Sequence, residues 1–428
     1  MKILWVCNIL LPEMARALGA EALPVGGWME GMMNRFSPED ELVICAPWKE
    51  ERSGRGERFT FHTFPAHGDD YSEQTEAVLA GLFHLEKPDL LHIHGTEFPH
   101  SLAAVRAAER ERLLDRTVIS IQGLISVYER HSDCYLPWEV IRGRTFRDLW
   151  KKESLEHQKR RFHQRGEYER EAIRKARYVI GRTEWDWACV RQINPEIRYF
   201  KGNETLRESF YSGIWDLDKC EKHSVFCGQS VYSIKGFHLA LETLEILLRT
   251  YPDAELYTTG PDPFAAKTLL SRIKWVNSYV RYLKKLIREK GLEQKVHFLG
   301  SLDEQAMKER FLRSHVFLSA SSVENSSNAV GEAMLLGVPV VSSFVGGLPS
   351  LMTHEREGCF YPADAPYMAA HYIRRIFEEP ETAKEMARNA RSRAMKTHDP
   401  EENGKQLTRI YQAILRDSGS RHAGAQSE

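Results

Sequence analysis

Apolar and polar positions along this chain of 428 residues follow two alternating periods. Short apolar runs recur at KILWVC (2–7), ELVICA (41–46), FTFHTF (59–64), DLLHIH (89–94), TVISIQ (117–122) and YVIGRT (178–183). Each has the length and composition of a strand, and several of the segments between them are long enough for crossover helices. Such alternation predicts a parallel, doubly wound sheet. Right-handed crossovers then bring the loops that leave the strands to one edge, where ligands bind. The pattern restarts beyond residue 220, with strands predicted at 224–228, 254–260, 295–300, 316–321 and 338–343. Helices are predicted over 236–250, 265–290, 303–313, 328–336, 365–378 and 380–396. The stretch 200–222 reads as the linker, 400–415 as a further amphipathic helix, and the small, polar residues 416–428 as a disordered tail.

The length suits two domains. A hydrophobic content of 42% with 28% charged residues is that of a soluble globular protein. Lys and Arg number 59 against 60 Asp and Glu, which argues against a dedicated nucleic-acid binder. The opening residues MKILWVCNILLPEMA read as a strand rather than a signal peptide. No stretch reaches the ~18–20 apolar residues of a membrane span. Cysteines at 7, 45, 134, 189, 220, 227 and 359 form no CxxC pair and read as free thiols, so a reducing, cytoplasmic setting is expected. One block departs from neutrality: Arg142–Arg177 holds thirteen Lys and Arg against six Asp and Glu. It reads either as a solvated helical surface or as a helical insertion facing a phosphate-bearing acceptor or the inner face of the cell membrane.

The chemistry concentrates in SASSVENSSNAVGEAMLLGVPVVSSFVGGLPS (319–350). A strand runs into a polar loop, and a helix starts around Ser327–Asn328, residue types that cap helices well. Unsatisfied N–H groups at such a start suit a diphosphate. Glu332 falls one turn inside the helix, where a carboxylate can accept from two ribose hydroxyls. Glu324 stays on the loop, free to face a sugar, and Gly337 closes the helix before the next strand. A second element, FCGQSVYSIKGFHLAL (226–241), ends a strand at Gly228 and opens a helix at Lys235–Gly236. A lysine there either neutralises a diphosphate leaving group or merely decorates the surface. After the first strand, Gly26 and Gly27 precede a helix and let backbone approach a ligand. His92 and His94 share one face of a strand, but no third metal ligand is evident nearby. His94, at the strand's end, faces a cleft or is structural.

The stretch ENSSNAVGEAMLLGVPVV resembles the signature of retaining glycosyltransferases of family four, which have the GT-B fold: two Rossmann-like domains with parallel sheets facing across a cleft. The resemblance extends over roughly residues 1–415 and includes RTEWD (182–186), GNETLR (202–207) and SFVGGLP (343–349). It implies an N-terminal acceptor domain over 1–205, carrying the basic insertion 142–177, and a donor domain over 206–399. The helix 400–415 would cross back to the first domain. It implies that Glu332 binds ribose, that Glu324 contacts the donor sugar, and that backbone near Ser327, Asn328 and Ala329 sits by the phosphates. Gly26 and Gly27 would lie beside phosphate and acceptor, Arg182 and Glu184 would rim the cleft, and Gly346 and Gly347 would shape a loop near the nucleotide. Many relatives carry an arginine where this chain has Gln229, and a histidine where it has Gln122, so Lys235 takes more of the phosphate charge and Gln122 the histidine's place beside the sugar.

The implied partners are a nucleotide-diphosphate sugar, UDP by default and GDP as rival, and a saccharide or lipid-linked acceptor in cell-surface polysaccharide or glycolipid synthesis. No metal and no other cofactor is expected. A sugar-nucleotide epimerase of the same architecture and a non-catalytic sugar-nucleotide binder are the competing readings.

Overall fold

The computed structural model describes all residues except 22–26, 34–35, 38, 67, 134, 266–267, 269–275 and 426–428. Gly26 and Cys134 therefore lie outside the described residues, as does much of the first half of the predicted helix 265–290. The chain divides into two units: residues 1–127, 162–206 and 398–428 form the first, and 128–161 with 207–397 the second. The segment 128–161 was expected in the first domain. It clusters with the second because Leu136 and Leu155 are buried in that unit's apolar core.

In the first unit β1 (Lys2–Val6), β2 (Glu41–Trp48), β3 (Ser53–Arg55), β4 (Thr60–Pro65), β5 (Leu90–His94), β6 (Thr117–Ser120), β7 (Tyr178–Gly181) and β8 (Arg198–Lys201) form one sheet in the order β3-β4-β2-β1-β5-β6-β7-β8. All neighbours run parallel except β3 against β4. β5 is buried at every position, as a strand covered on both faces must be. In the second unit β9 (Glu221–Cys227), β10 (Glu255–Thr258), β11 (Val296–Phe298), β12 (Ser314–Ser319), β13 (Val340–Ser343) and β14 (Cys359–Tyr361) form a wholly parallel sheet, β11-β10-β9-β12-β13-β14. Both units are thus Rossmann-like. The strands β3, β8 and β14, not anticipated from the pattern, are short or exposed edge pieces.

The last described helix spans Pro400–Ala425, ten residues beyond the predicted end. Leu407, Ile410, Tyr411 and Ile414 enter the first unit's core with Trp5. The Tyr411 hydroxyl accepts from Trp5 Nε1 at 3.1 Å and meets His92 Nδ1 at 2.5 Å. Further along, Asp417 accepts from the Tyr178 hydroxyl and from Arg177, and Ser418 donates to Asp115. Those contacts order residues whose composition reads as a tail. Six of the cysteines are free thiols, and among the described residues no helix is long and apolar enough to cross a membrane.

His94 is buried, its ring centroid 3.8 Å from that of His92 and 4.6 Å from that of Trp5. Burial pushes His94 down to about 3 from the usual 6.5, and His92 well below it. A depressed histidine stabilises the fold fully above its unfolded value, and that stability is lost as pH falls below 6.5 toward the folded value. Replacing His94 with Gln should flatten the acid limb of a urea-midpoint profile by about 1.4 kcal/mol per pH unit below pH 6.5. An unchanged slope would mean that His94 is already protonated in the folded protein.

Candidate functional site

In the second sheet, β9 continues outward to β10 and β11, whereas β12 continues the other way to β13 and β14. The strand order reverses between β9 and β12, and loops leaving their carboxyl ends part there, which is where open α/β sheets bind ligands. The loop after β9 begins at half-buried Gly228, whose carbonyl accepts from Thr258 Oγ1 at 2.6 Å, and passes exposed Gln229. A single turn, Ser233–Lys235, then leads to Gly236 and the helix Phe237–Leu248. Gly236 adopts φ 68°, and a Cβ on it would stand 1.9 Å from the Ala320 carbonyl oxygen. Only glycine admits that approach of the β9 loop to the end of β12.

The loop after β12 is knit to its neighbours through polar groups removed from solvent. Ser322 N–H donates to the Ile234 carbonyl at 2.9 Å, and Ser343 Oγ, at the end of β13, donates to the Ser321 carbonyl at 2.6 Å. Gly347 N–H donates to the Glu324 carbonyl at 3.0 Å. Gly346, at φ 52°, lies so close that a Cβ would come 1.8 Å from the same oxygen. Ser327 caps the helix Asn328–Leu336 through its Oγ, and Gly337 ends it at φ 74°. The first N–H groups of that helix, at Asn328 and Ala329, have no intrahelical acceptor, and both residues are partly exposed.

Glu324, expected on this loop and able to face a sugar, lies there buried and engaged. Its Oε1 accepts from Lys235 Nζ at 2.5 Å and from Ser321 Oγ at 2.8 Å. The structure therefore brings the two residues together, with the lysine about one-third exposed beside the helix start. Glu332 is likewise engaged: Arg207 Nε and Nη2 donate to its two oxygens, both at 2.7 Å. Burial raises the Glu332 carboxyl, while the guanidinium opposes that shift. Arg207, itself stacked 4.6 Å from the centroid of Phe210, was not singled out from the sequence. Its partner is 125 residues away, although it ends the GNETLR stretch.

The residues predicted in the first unit take quieter places. Arg182, read as a cleft-rim residue, is buried in an ion pair with Glu204 and donates to the Gln122 carbonyl at 3.1 Å. The Gln122 amide donates to the other oxygen of Glu204 at 2.5 Å. Glu184 is exposed on the first turn of the helix Glu184–Ile193, and Gly27 begins the helix Gly27–Met33. The strand order of the first sheet reverses between β1 and β5. There Glu97 accepts from Gly123 N–H at 2.7 Å and from Asn8 Nδ2 at 3.2 Å. Desolvation pushes its carboxyl up to about 7. Sequence reasoning missed Glu97, which follows the strand it identified by only three residues. Among the described residues no cluster of three His, Cys, Asp or Glu side chains is placed to ligate a metal.

Residues 210–393 match the family described as glycosyl transferases group 1. A putative glycosyltransferase of Bacillus subtilis, YtcC, is 27% identical over 228 residues, 52% of this chain and 52% of that protein. The N-acetyl-alpha-D-glucosaminyl L-malate synthase of Bacillus anthracis is 28% identical over 132 residues, 31% of this chain and 34% of that protein. The chain thus spans about half or less of the length of these curated relatives. Among solved structures, HepE of Anabaena in complex with UDP-glucose superimposes with a TM-score of 0.67 at 16% identity, over 96% of this chain and 100% of the other. Sucrose-phosphate synthase of Thermosynechococcus elongatus gives 0.65 at 15% identity, over 97% and 99%. The fold is GT-B.

Gly346→Ala should lower stability by about 2 kcal/mol or more, because a strained backbone and a backbone collision add. Gly291→Ala, at φ 62° with open space around it, isolates the strain alone and should lose only about 1 kcal/mol. Equal losses in urea unfolding would show that the contact with Glu324 does not constrain the loop.

Proposed function

We propose that the chain, whose residues 210–393 match the glycosyl transferases group 1, transfers a sugar from a nucleoside-diphosphate sugar, UDP-linked by preference, to a saccharide or lipid-linked acceptor with retention of configuration. The observation that carries this reading is the placement of Lys235 against Glu324, next to the start of the helix Asn328–Leu336 at the reversal point of the second sheet. A cation and unsatisfied helix N–H groups together complement a diphosphate. HepE, with the same fold, is a UDP-glucose complex, which supports a UDP-sugar as donor.

In this reading the diphosphate draws Lys235 from its carboxylate partner and takes the N–H groups of Asn328 and Ala329. Glu332, held in orientation by Arg207, accepts from the ribose through lone pairs that the guanidinium leaves open. As the bond from the anomeric carbon to the phosphate oxygen breaks, positive charge grows on the sugar ring and negative charge on the departing nucleotide. Lys235 and the helix start stabilise the second, without a metal. Glu324, released from Lys235, faces the sugar hydroxyls. The acceptor oxygen attacks the face from which the nucleotide leaves, and its proton passes to the departing phosphate, giving a glycoside and free nucleotide.

A thermal-shift screen of UDP- and GDP-sugars tests the donor, since a ligand at a hundred times its Kd adds about 2.7 kcal/mol of stability. Nucleotide release should require an acceptor. Lys235→Ala should lower kcat by about 10²–10³-fold, and Glu324→Gln should abolish turnover while the donor still raises the melting temperature. Conversion of the donor to an isomeric sugar nucleotide without acceptor would instead identify an epimerase, and a donor shift with no turnover on any acceptor a binding protein.

A further inference from the structure

The basic block read from the sequence does not act as one piece. From residue 162 onward its charges are largely paired within the first unit: Arg165 with Asp69, Arg170 with Glu167, Lys175 with Glu109 and Arg177 with Asp417. In the part that belongs to the second unit Arg144, Arg147 and Lys159 are likewise paired, with Glu156, Glu153 and Asp133, and what sets it apart is its exposed apolar side chains. Among the described residues thirteen large apolar side chains are exposed, and five of them, Tyr135, Trp138, Phe146, Leu149 and Trp150, fall within sixteen residues. Trp138, Phe146, Leu149 and Trp150 are 58%, 63%, 64% and 58% exposed.

These side chains are held outward by a fixed base. Leu136 and Leu155 are buried in the second unit's core, and Val140 and Ile141 pack against it. Asp148, fully buried, accepts from Thr145 Oγ1 at 2.8 Å and from Ser278 N–H at 2.9 Å. It thereby fastens the helix Phe146–Lys151 to the start of the helix Ser278–Glu289. That second helix brings Arg281, Lys284, Lys285 and Arg288, with one carboxylate, Glu289, to a groove shared with Arg144 and Phe146. Residues 135–152 and 278–290 together hold ten Lys and Arg against three Asp and Glu, one of the three being buried Asp148, and of the ten Arg144, Arg147 and Lys290 pair with carboxylates outside these stretches, Glu156, Glu153 and Glu245. Arg142 lies 3.8 Å from the ring centroid of Trp138, and Lys151 4.5 Å from that of Trp150.

We propose that this face of the second unit is a docking surface for an anionic phospholipid membrane, with Trp138, Phe146, Leu149 and Trp150 entering the headgroup boundary while Arg281, Lys284, Lys285 and Arg288 meet the phosphates. Rings with a polar edge favour that boundary, and basic side chains near an anionic surface add to the attraction. An aliphatic leucine and a phenylalanine among the exposed groups favour a lipid over a nucleic acid, which offers only flat bases and phosphates. The inference stands independently of the sugar-transfer reading.

Co-sedimentation of the full chain with vesicles of phosphatidylcholine, alone or mixed with phosphatidylglycerol, tests it. Binding is expected to the mixed vesicles only, and to weaken with added salt. Arg281→Glu with Lys285→Glu should weaken it by about thirtyfold or more. Trp138→Ser with Trp150→Ser should abolish the blue shift of tryptophan fluorescence on binding. Because these side chains are exposed, the melting temperature should not move, and any nucleotide-sugar shift should persist. The proposal is overturned if both vesicle types bind equally or neither binds, if the variants bind as the parent does, or if the face instead dimerises the chain in light scattering or retains a labelled RNA duplex.

Discussion

Two left-handed glycines let three loops of the second sheet close to backbone contact, and the candidate site takes its geometry from that closure. Gly236 brings the loop after β9 against Ala320, and Gly346 brings the loop after β13 against the carbonyl of Glu324. Neither approach leaves room for a methyl group. The closure sets positions: Lys235 reaches Glu324, Ser321 and Ser343 tie the loops across β12 and β13, and the capped helix begins where the loops part. A site of this kind is preorganised by backbone, so its charged side chains can exchange partners when a ligand arrives without the loops having to fold.

The same closure explains what could be read from the chain and what could not. Continuous apolar runs such as β5 and β12 announce buried parallel strands, and Ser327 with Gly337 mark both ends of a helix, because these signals are local. The strands β3, β8 and β14 exist only by pairing with neighbours, and three or four residues carry no period of their own. Partnerships are harder still. Lys235 and Glu324 are 89 residues apart, and Arg207 and Glu332 are 125 apart. The sequence singled out three of these four residues from their local setting but not the pairs they form. Arg182 shows the same gap, since its ion pair with Glu204 could not be read from its local sequence.

Charge counted along a chain also misleads when burial is unknown. The block 142–177 is basic on balance, yet the division between the two units falls inside it, within the helix Leu155–Lys175. Both parts pair some of their charge with nearby carboxylates. The second-unit part also sets cations against exposed aromatic rings on a base fixed by buried Asp148, and gains a second row of cations from a helix more than a hundred residues later. Composition found the charge, whereas topology decided which part of it faces outward.

The first unit is assembled from three separated stretches, the last of which supplies Leu407, Ile410, Tyr411 and Ile414 to its core. During synthesis the second unit's residues therefore emerge before the first unit has its full interior. Until Tyr411 arrives, the indole N–H of Trp5 and the ring of His92 lack the hydroxyl that joins them, beneath an apolar surface still open to water. The first unit's interior is therefore complete only once the segment 400–418, the last part of it to be made, is in place.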